Sequence, residues 1–513
     1  MAPSANDAYY AGQPSPAIPR RLSERQIVRE KLTPDALGIV IIMVGLPARG
    51  KSFTSRKLER FLLWRGLDTK TFNVGRYRRD GTAPEQSGRS DFYDRSNTAA
   101  MAAREAAASA ALEDVLAFLD AGGQIAIFDA TNSAVERRTG IVKRVAAHNR
   151  SYSTLFVEVL CDDKEVVEAN MQNKVAHSPD FAHLSPVEAL ADLKARIQKY
   201  EEVYETVGDN EGPYIKLYNL SSKVLVNHCY GRTARIVVPY LMGVHIGTRP
   251  IWLVRAGAGR ANPQSPQASS RCAGLSGSGH SFAASLSKFV FERVEGHSQA
   301  SRQPEEVVRV FTSTMPRAVD SAQYMTDNHV QLSALNALDK GVIGSGWWDV
   351  ECGADKPLWE EVERRHPDFW DRFRQDPLRC RFPGGESYMD VVQRLETLLI
   401  EVEMCTVPVL IVSHITVLQL LIAYFRGIPI EEAWQVEVPR NTVFEALPSL
   451  GGGYICSEHK LRADSAGDLK APKSFLDASC KGSSPPAKTM RTNAFPVISA
   501  ATEANSEGIM TDA

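Results

Sequence analysis

Residues 45–52 read Gly45-Leu46-Pro47-Ala48-Arg49-Gly50-Lys51-Ser52, the full G-x-x-x-x-G-K-[ST] pattern of a phosphate-binding loop. An apolar run at residues 38–44 precedes the loop and a helix-compatible segment follows it, which is the context that the pattern requires. The two glycines allow backbone N–H groups to turn inward around an anion. Lys51 can then reach the β- and γ-phosphates of a nucleotide, and the Ser52 hydroxyl can bind Mg²⁺.

Composition and charge narrow the class of protein. A chain of 513 residues is too long for a single core, so two domains with tails are expected. The apolar content of 43% and charged content of 23% are ordinary for a soluble globular protein. The net charge of -2 provides no basic field for nucleic acid or for an anionic membrane. The apolar stretches are too short to cross a bilayer, and the N-terminus shows no secretory signal, so we expect a soluble, cytoplasmic protein.

Cysteine usage agrees with that location. The 8 cysteines are scattered along the chain and form no C-x-x-C pair. Such spacing is typical of reduced cytosolic thiols rather than of a disulfide framework or a zinc site.

Two blocks of the chain alternate strand-like and helix-like segments, a pattern that predicts α/β domains. The first block has its phosphate loop after the first strand, so a parallel sheet flanked by helices is expected. Its predicted strands are Ile39–Val44, Thr71–Val74, Ile125–Asp129, Thr154–Leu160 and Tyr214–Tyr218, and its predicted helices are Ser52–Arg65, Thr98–Ala121 and Pro186–Val207.

The second block follows a predicted helix at Cys229–Met242. Residues Gly257–Gly279 are poor in apolar side chains and predict a long loop. Pro367 is expected to break the first of two helical regions. The predicted strands are Ile251–Arg255, Arg309–Thr312 and Val409–Ser413, and the helical regions are Trp359–Arg374 and Ser387–Met404.

These patterns set the predicted domain organisation. Residues 1–33 and 461–513 lack apolar periodicity and are expected to be disordered tails. Residues 34–246 form the phosphate-loop domain, and residues 247–460 form a second α/β domain.

Polar groups follow the strands of the first block. Asp129 ends an apolar strand, where a carboxylate can hold Mg²⁺, directly or through water, or accept a substrate proton. The basic run Arg76–Arg79 follows another strand, and guanidinium groups match phosphate oxygens bidentately. Ligands bind at the carboxyl edge of open α/β sheets. Together the loop, Asp129 and the arginines predict phosphoryl transfer to a phosphorylated small molecule.

Several motifs, in order along the chain, resemble the 6-phosphofructo-2-kinase/fructose-2,6-bisphosphatase family. The resemblance runs from about residue 38 to about residue 457 and implies a phosphate-loop kinase domain followed by a histidine-phosphatase-like domain. The motifs are Val44–Ser52, Phe72–Arg79, Phe128–Asn132, Ser178–Phe181 and Arg196–Tyr200.

The resemblance implies that the γ-phosphoryl group of ATP moves to the 2-hydroxyl of fructose 6-phosphate, with Mg²⁺ held by Ser52 and Asp129. The implied catalytic residues are Lys51, Asp129, Cys161 and Lys174. The implied nucleotide contacts are Gly45, Leu46, Pro47, Ala48, Arg49, Gly50, Lys51, Ser52, Asn170 and Lys174. The implied contacts to the sugar phosphate are Arg78, Arg79, Arg104, Thr131, Arg137, Arg196 and Tyr200.

The chain departs from the family pattern near Lys174. The family's lysine lies three residues before the serine of Ser-Pro-Asp, whereas Lys174 lies four before Ser178. Either the loop shifts to compensate or Val175 occupies that position. We assign the role to Lys174, because a long lysine side chain tolerates the shift.

The second block departs from its family at the mechanistic positions. Histidine phosphatases attack phosphorus with the His of an Arg-His-Gly-Glu motif, and a carboxylic acid protonates the leaving alcohol. Here Arg255 is followed by Ala256 at the nucleophile position, and Ala337 stands at the position of the acid. Arg317 and His414 are retained. Losing the nucleophile costs on the order of a million-fold in rate, so the phosphatase is expected to be inactive.

Three hypotheses of function therefore stand. The first is a kinase without phosphatase activity, which raises fructose 2,6-bisphosphate and stimulates glycolysis. The second is a bifunctional enzyme with residual bisphosphatase activity, and the third is a non-catalytic, nucleotide-binding regulatory protein. Ser23 follows Arg20-Arg21-Leu22 and is a candidate site for a regulatory protein kinase. The resemblance also implies homodimers.

Overall fold

The computed structural model describes residues 38–81, 90–94, 96–219, 222–245, 247–259, 274–295, 308–325, 329–339, 362–449 and 451–461. Ser23, both predicted tails except residue 461, and most of the predicted loop at 257–279 lie outside these ranges. Helices long and apolar enough to cross a membrane are absent from the described part of the chain.

A mostly parallel sheet forms the centre of the first half. Its strand order is β2-β3-β1-β4-β5-β6, in which only the β5–β6 pair among these described strands is antiparallel. The central strand β1 is buried along its whole length because helices cover both faces of the sheet. The strands are β1 (Gly38–Val44), β2 (Thr69–Asn73), β3 (Ile125–Asp129), β4 (Tyr152–Leu160), β5 (Tyr214–Tyr218) and β6 (Lys223–Asn227).

Local sequence explains where the helices of this half begin. The Asn97 side chain accepts a hydrogen bond from the backbone of Ala100 at the start of α3, and Ser185 and Glu188 form a capping box at the start of α6. The helices are α1 (Lys51–Trp64), α2 (Val74–Gly81), α3 (Thr98–Asp120), α4 (Val135–His148), α5 (Lys164–His177), α6 (Pro186–Glu201) and α7 (Arg232–Gly243).

A second sheet forms the centre of the second half of the chain. Its strand order is β12-β11-β7-β10-β8-β9, with β7, β10, β8 and β9 parallel and β11 and β12 antiparallel to their neighbours. The strands are β7 (Ile251–Arg255), β8 (Arg309–Ser313), β9 (Val330–Leu332), β10 (Val409–Ser413), β11 (Thr442–Pro448) and β12 (Tyr454–Lys460). The helices are α8 (Gly277–Glu295), α9 (Pro316–Ala322), α10 (Pro367–Gln375), α11 (Tyr388–Met404) and α12 (Ile415–Arg426).

The two α/β halves confirm the predicted fold class, and most predicted strands match closely. The basic run Arg76–Arg79, which was expected only to follow a strand, lies on α2. Two predictions were wrong in detail. Helix α8 begins inside the segment predicted as a loop, because Phe282, Leu286 and Phe289 form an apolar stripe after a glycine-rich start. The helix predicted at Pro186–Val207 ends earlier, at Glu201.

One apolar core runs through both halves. It contains Ile41 and Phe61 from the first half and Ile411 and Leu420 from the second, all fully buried. Helix α1, which follows the phosphate loop, therefore packs against its own sheet and against the second half.

Candidate active site

The phosphate loop is a strained turn between β1 and α1. Gly45 has a φ of 139°, and a Cβ there would lie 2.5 Å from the carbonyl oxygen of Val159. Gly50 has a φ of 95°, and Ala48, although not a glycine, has a φ of 59°. Strain of this kind is typical of functional loops, where it aims backbone N–H groups at a ligand.

Lys51 lies at the start of α1 with its side chain turned into the loop. Its Nζ donates a hydrogen bond to the Leu46 carbonyl oxygen at 2.6 Å. Burial lowers the pKa of Lys51 to about 7, and the nearby positive charge of Lys174 lowers it as well. An anion in the loop would remove this penalty on the charged form, so the site favours a negatively charged ligand.

Asp129 ends β3, next to the loop. Its Oδ2 accepts hydrogen bonds from Ser52 Oγ at 2.7 Å and from Asn73 Nδ2 at 2.6 Å. Asn73 is paired with Asp129 in the register of β2 and β3. The Ser52 hydroxyl and the Asp129 carboxylate are adjacent, hard oxygen donors, which Mg²⁺ prefers beside nucleotide phosphates.

A polar loop after β3 lies beside the phosphate loop. The backbone N–H of Gly45 donates to the Thr131 carbonyl oxygen at 3.0 Å, so Thr131 lies against the phosphate loop. Asn132 donates to the Met43 carbonyl oxygen at 2.8 Å and accepts from Arg137 Nε at 3.2 Å. Arg137 therefore has its guanidinium group held beside this loop.

Helix α5 brings two more predicted residues to the site. Asn170 and Lys174 are four residues apart and so lie on one helix face. Desolvation in the cleft lowers the pKa of Lys174, an effect that the carboxylates of Asp180 and Asp129 oppose. The buried Nδ2 of Asn170 has no hydrogen-bond partner among the described residues, which leaves a donor available to a ligand.

Two predicted residues have other surroundings. Cys161 is buried in an apolar cluster with Val167 and Phe181, and burial raises the pKa of its thiol, so it has no thiolate character at neutral pH. Arg49 forms an ion pair with Glu201 at 3.4 Å. Pro47 lies between Leu46 and Ala48 in the turn.

Cationic side chains from three helices converge on Tyr93. The guanidinium carbons of Arg78, Arg104 and Arg196 lie 5.6, 5.8 and 5.0 Å from the centre of its ring. Tyr200 packs against the same ring, with centroids 5.6 Å apart. Desolvation raises the pKa of Tyr93 to about 12, so its hydroxyl stays protonated. The cluster suits an anionic group with several oxygens.

Asp180 balances part of this charge. Its carboxylate lies 2.6 Å from Arg78, 3.3 Å from Arg196 and 3.4 Å from Arg79. Desolvation alone would raise the pKa of Asp180, but Arg78 and the other arginines hold it below its ordinary value. The ionised carboxylate keeps the arginines in place.

Apart from Cys161 and Arg49, the structure thus brings most of the predicted residues to the carboxyl edge of the first sheet. Sequence reasoning missed three others, namely Asn73, Tyr93 and Asp180. Asn73 and Asp180 lie within motifs that the sequence makes visible, and the strand register could have paired Asn73 with Asp129. Tyr93 lies in a short 3₁₀ turn, and no pattern singled it out.

A second group of predicted residues lies at the carboxyl edge of the second sheet. Arg255 is paired with Ser413 in the register of β7 and β10, and the N–H of Ala256 donates to the Ser413 carbonyl oxygen at 2.8 Å. His414 follows Ser413 and is fully buried. Ala256 and His414 therefore stand side by side.

A chain of hydrogen bonds fills this second edge. Arg317 Nη2 donates to Nδ1 of His414 at 3.1 Å, so a neutral His414 carries its proton on Nε2. That Nε2 lies 2.9 Å from Ser313 Oγ, which donates to Asn336 Oδ1 at 2.8 Å. Ala337 follows Asn336 and contributes only a methyl group.

Comparison with known families assigns a separate description to each half. Residues 29–248 match the model of the family described as 6-phosphofructo-2-kinase. Residues 251–458 match the histidine phosphatase superfamily (branch 1).

Relatives carry both descriptions in one name. The 6-phosphofructo-2-kinase/fructose-2,6-bisphosphatase of Gallus gallus is 36% identical over 413 residues, which cover 80% of this chain and 82% of that protein. The 6-phosphofructo-2-kinase/fructose-2,6-bisphosphatase 3 of Homo sapiens is 35% identical over 91% of this chain and 87% of its own length. The 6-phosphofructo-2-kinase/fructose-2,6-bisphosphatase of Arabidopsis thaliana is 36% identical over 81% of this chain, but the match covers only 53% of the Arabidopsis protein.

Removing the charge of Asp180 tests the arginine cluster. We expect Asp180→Asn to lower the free energy of unfolding by about 3 kcal/mol, because it removes the buried carboxylate that pairs with Arg78 and one of the two carboxylates, the other being Asp192, that pair with Arg196. Chemical denaturation measures the change. The control is Asp80→Asn. Asp80 lies 3.8 Å from Arg76, and both side chains are exposed. That variant should change stability by no more than about 0.5 kcal/mol. Equal losses in the two variants would contradict the role given to Asp180.

Proposed function

The chain belongs to the 6-phosphofructo-2-kinase/fructose-2,6-bisphosphatase family, and on that premise we propose that it transfers the γ-phosphoryl group of ATP to the 2-hydroxyl of fructose 6-phosphate. The observation that carries the proposal is the contact between Ser52 and Asp129, 2.7 Å apart beside a strained phosphate loop. This pair is the arrangement that phosphate-loop kinases use to hold Mg²⁺ beside a triphosphate.

The nucleotide contacts follow from the loop and from α5. In this proposal the backbone N–H groups from Ala48 to Ser52 bind the β- and γ-phosphates, and Lys51 moves from the Leu46 carbonyl to a phosphate oxygen. Asn170 supplies its Nδ2, which has no hydrogen-bond partner among the described residues. Lys174 adds positive charge beside Lys51 and Asp129, where charge moves during transfer.

The sugar phosphate fits the arginine cluster around Tyr93. Arg78, Arg104 and Arg196 offer planar guanidinium groups, and Arg79, Thr131, Arg137 and Tyr200 line the neighbouring surface. Lys174 lies near enough to both Asp129 and the arginine cluster for their charges to act on its pKa, so we expect a sugar held by its 6-phosphate at the cluster to extend toward Asp129. Chemistry supports this placement of the sugar phosphate, because a bidentate guanidinium group matches phosphate oxygens better than the point charge of a lysine does.

The transfer itself is a displacement at phosphorus. The 2-hydroxyl oxygen forms a bond to the γ-phosphorus while the bond to the β–γ bridging oxygen breaks, and the hydroxyl proton passes to a carboxylate, for which Asp129 is our candidate. Mg²⁺, when held by Ser52 and Asp129, neutralises charge on the phosphate oxygens. Cys161 is buried in an apolar cluster and burial raises the pKa of its thiol, so we give it a packing role rather than a chemical one.

We also propose that bisphosphatase activity is lost, although the names of the relatives include it. Ala256 has no lone pair with which to attack phosphorus, and Ala337 cannot protonate a leaving alcohol. Ser313 is the nearest alternative nucleophile to His414. Because Nδ1 of His414 accepts from Arg317, its Nε2 donates to Ser313 and cannot remove the serine proton.

A non-catalytic, nucleotide-binding role is the weaker alternative. Such a protein would not need Asp129 beside Ser52 or a separate arginine cluster for a second anion. Homodimers, a cytoplasmic location and phosphorylation of Ser23 remain predictions from the sequence.

Replacing the loop lysine tests the kinase. Purified protein should form an acid-labile sugar bisphosphate from ATP and fructose 6-phosphate, and Lys51→Met should lower kcat by about a hundredfold or more, because Lys51 meets the charge of the transferred group. The control is Lys223→Met, an exposed lysine on β6, which should keep full activity. A wild-type protein that binds ATP but forms no sugar bisphosphate would support the regulatory alternative instead.

Restoring the missing groups tests the loss of phosphatase activity. Wild-type protein should release no measurable phosphate from fructose 2,6-bisphosphate, a loss on the order of a million-fold. Ala256→His alone should add little, whereas Ala256→His combined with Ala337→Glu should raise the rate further, because both a nucleophile and an acid are then present. Hydrolysis by the wild type at a rate comparable to its kinase rate would refute the proposal.

A further inference from the structure

One face of α1 is held by the second half of the chain. Lys57, Arg60 and Trp64 recur at three- and four-residue spacing and so lie on a single face of that helix. Each makes a polar contact with the second half. Arg60 Nη1 donates to the Phe425 carbonyl oxygen at 2.8 Å, and Trp64 Nε1 donates to the Leu420 carbonyl oxygen at 2.9 Å.

Lys57 makes the most deeply buried of these contacts. Its Nζ lies 2.9 Å from Glu403 Oε2, and both side chains are only 3% exposed. The same Nζ donates to the Tyr454 hydroxyl at 2.6 Å. The hydroxyls of Tyr454 and Tyr424 both donate to the other oxygen of Glu403. Both carboxylate oxygens therefore have partners.

Tyr240 ties the backbone of α1 to this network. Its hydroxyl donates to the Lys57 carbonyl oxygen at 3.0 Å and lies 3.0 Å from the Tyr424 hydroxyl. The Tyr240 ring stacks on Phe61 of α1 at 4.0 Å with nearly parallel planes. The helix is thus fixed in rotation and along its axis.

Stability alone does not account for such a network. A buried ion pair can often be replaced by apolar residues of similar size without loss of stability, since desolvation offsets the attraction between the charges. The ion pair and the hydroxyl hydrogen bonds are directional, whereas an apolar surface would let α1 slide. The network therefore specifies the position of α1.

The position of α1 matters because the helix begins at the phosphate loop. Lys57 is six residues after Lys51, or about 9 Å along the helix axis. A rigid helix carries a shift at Lys57 to Lys51 and Ser52. A displacement of about 1 Å in reacting groups can cost about a hundredfold in rate.

We propose that Glu403, with Tyr424 and Tyr454, acts through Lys57 to position the phosphate loop for phosphoryl transfer. The second half then serves as a positioning element for the first, irrespective of any chemistry of its own. The inference rests on the proposed kinase function, and its residues are positioning residues that touch neither substrate.

Two variants of the full chain test this role. Glu403→Gln removes the charge but keeps the size of the side chain, and Lys57→Met combined with Glu403→Leu replaces the pair by apolar groups. We expect the double variant to stay folded with a moderately lower melting temperature, because the hydroxyls of Tyr424 and Tyr454 lose their acceptor on Glu403. In both variants kcat should fall about tenfold or more and KM for ATP should rise severalfold. KM for fructose 6-phosphate should change less than about twofold, because the arginine cluster does not involve α1.

The split between KM values separates positioning from simple unfolding. A smaller folded fraction would lower the apparent kcat and leave both KM values unchanged, and calorimetric titration with ATP counts the competent sites. The control is Glu445→Gln, in the second half but bonded to Trp252 and His459 rather than to α1. It should leave kcat and both KM values unchanged even if its melting temperature falls.

The outcomes distinguish this inference from the proposed function. A wild type that binds ATP without phosphorylating sugar refutes the function, and weaker ATP binding by Glu403→Gln would then still support positioning. A folded double variant with kcat and ATP affinity within about twofold of the wild type would overturn the inference, as would an equal kinetic loss in Glu445→Gln.

Discussion

Helix α1 is the element on which both halves of this molecule depend. Its first turn carries Lys51 and Ser52 of the phosphate loop, and its later turns are buried against α12 and the end of α11. The loop upstream is strained at Gly45, Ala48 and Gly50, so its shape must be maintained by its surroundings. The parallel sheet holds one end of the helix and the second half holds the other.

This arrangement gives the second half a structural role that does not depend on phosphatase chemistry, which we propose it has lost. The carboxyl edge of the second sheet has Ala256 and Ala337 where a phosphatase needs a nucleophile and an acid, yet His414 and Arg317 remain joined in a buried hydrogen-bonded chain. The contacts to α1 come from α12, α11 and β12 of the same half, through Phe425, Glu403 and Tyr454. Ala256 and Ala337 lie outside α11, α12 and β12, which carry these contacts, so a change at either alanine need not disturb them.

Much of the fold was predictable from local pattern. The phosphate loop has a motif of its own, and β1, β3 and β10 are short apolar runs with clear boundaries. A parallel sheet follows from the alternation of such runs with helices. Helix α8 was not predicted, because its glycine- and serine-rich start hides an apolar stripe that only tertiary packing makes stable. The arginines Arg76–Arg79 were seen, but their place on α2 was not.

The site was predictable where a motif fixes it and unpredictable where long-range contacts assemble it. The pairing of Ser52 with Asp129 follows from the order of strands, whereas the convergence of Arg78, Arg104 and Arg196 on Tyr93 joins four separate segments. The buried network at Glu403 lies even further from any sequence signal, since Lys57 and Glu403 are 346 residues apart. A single sequence carries no local pattern for such a pair.

The most direct test of this account is a crystal structure of the full chain with a non-hydrolysable ATP analogue, Mg²⁺ and fructose 6-phosphate. We expect the triphosphate on the backbone of residues 45–52, the metal between Ser52 and Asp129, and the 6-phosphate among the arginines around Tyr93. A triphosphate bound elsewhere, or a sugar phosphate seated away from Arg78 and Arg196, would contradict it.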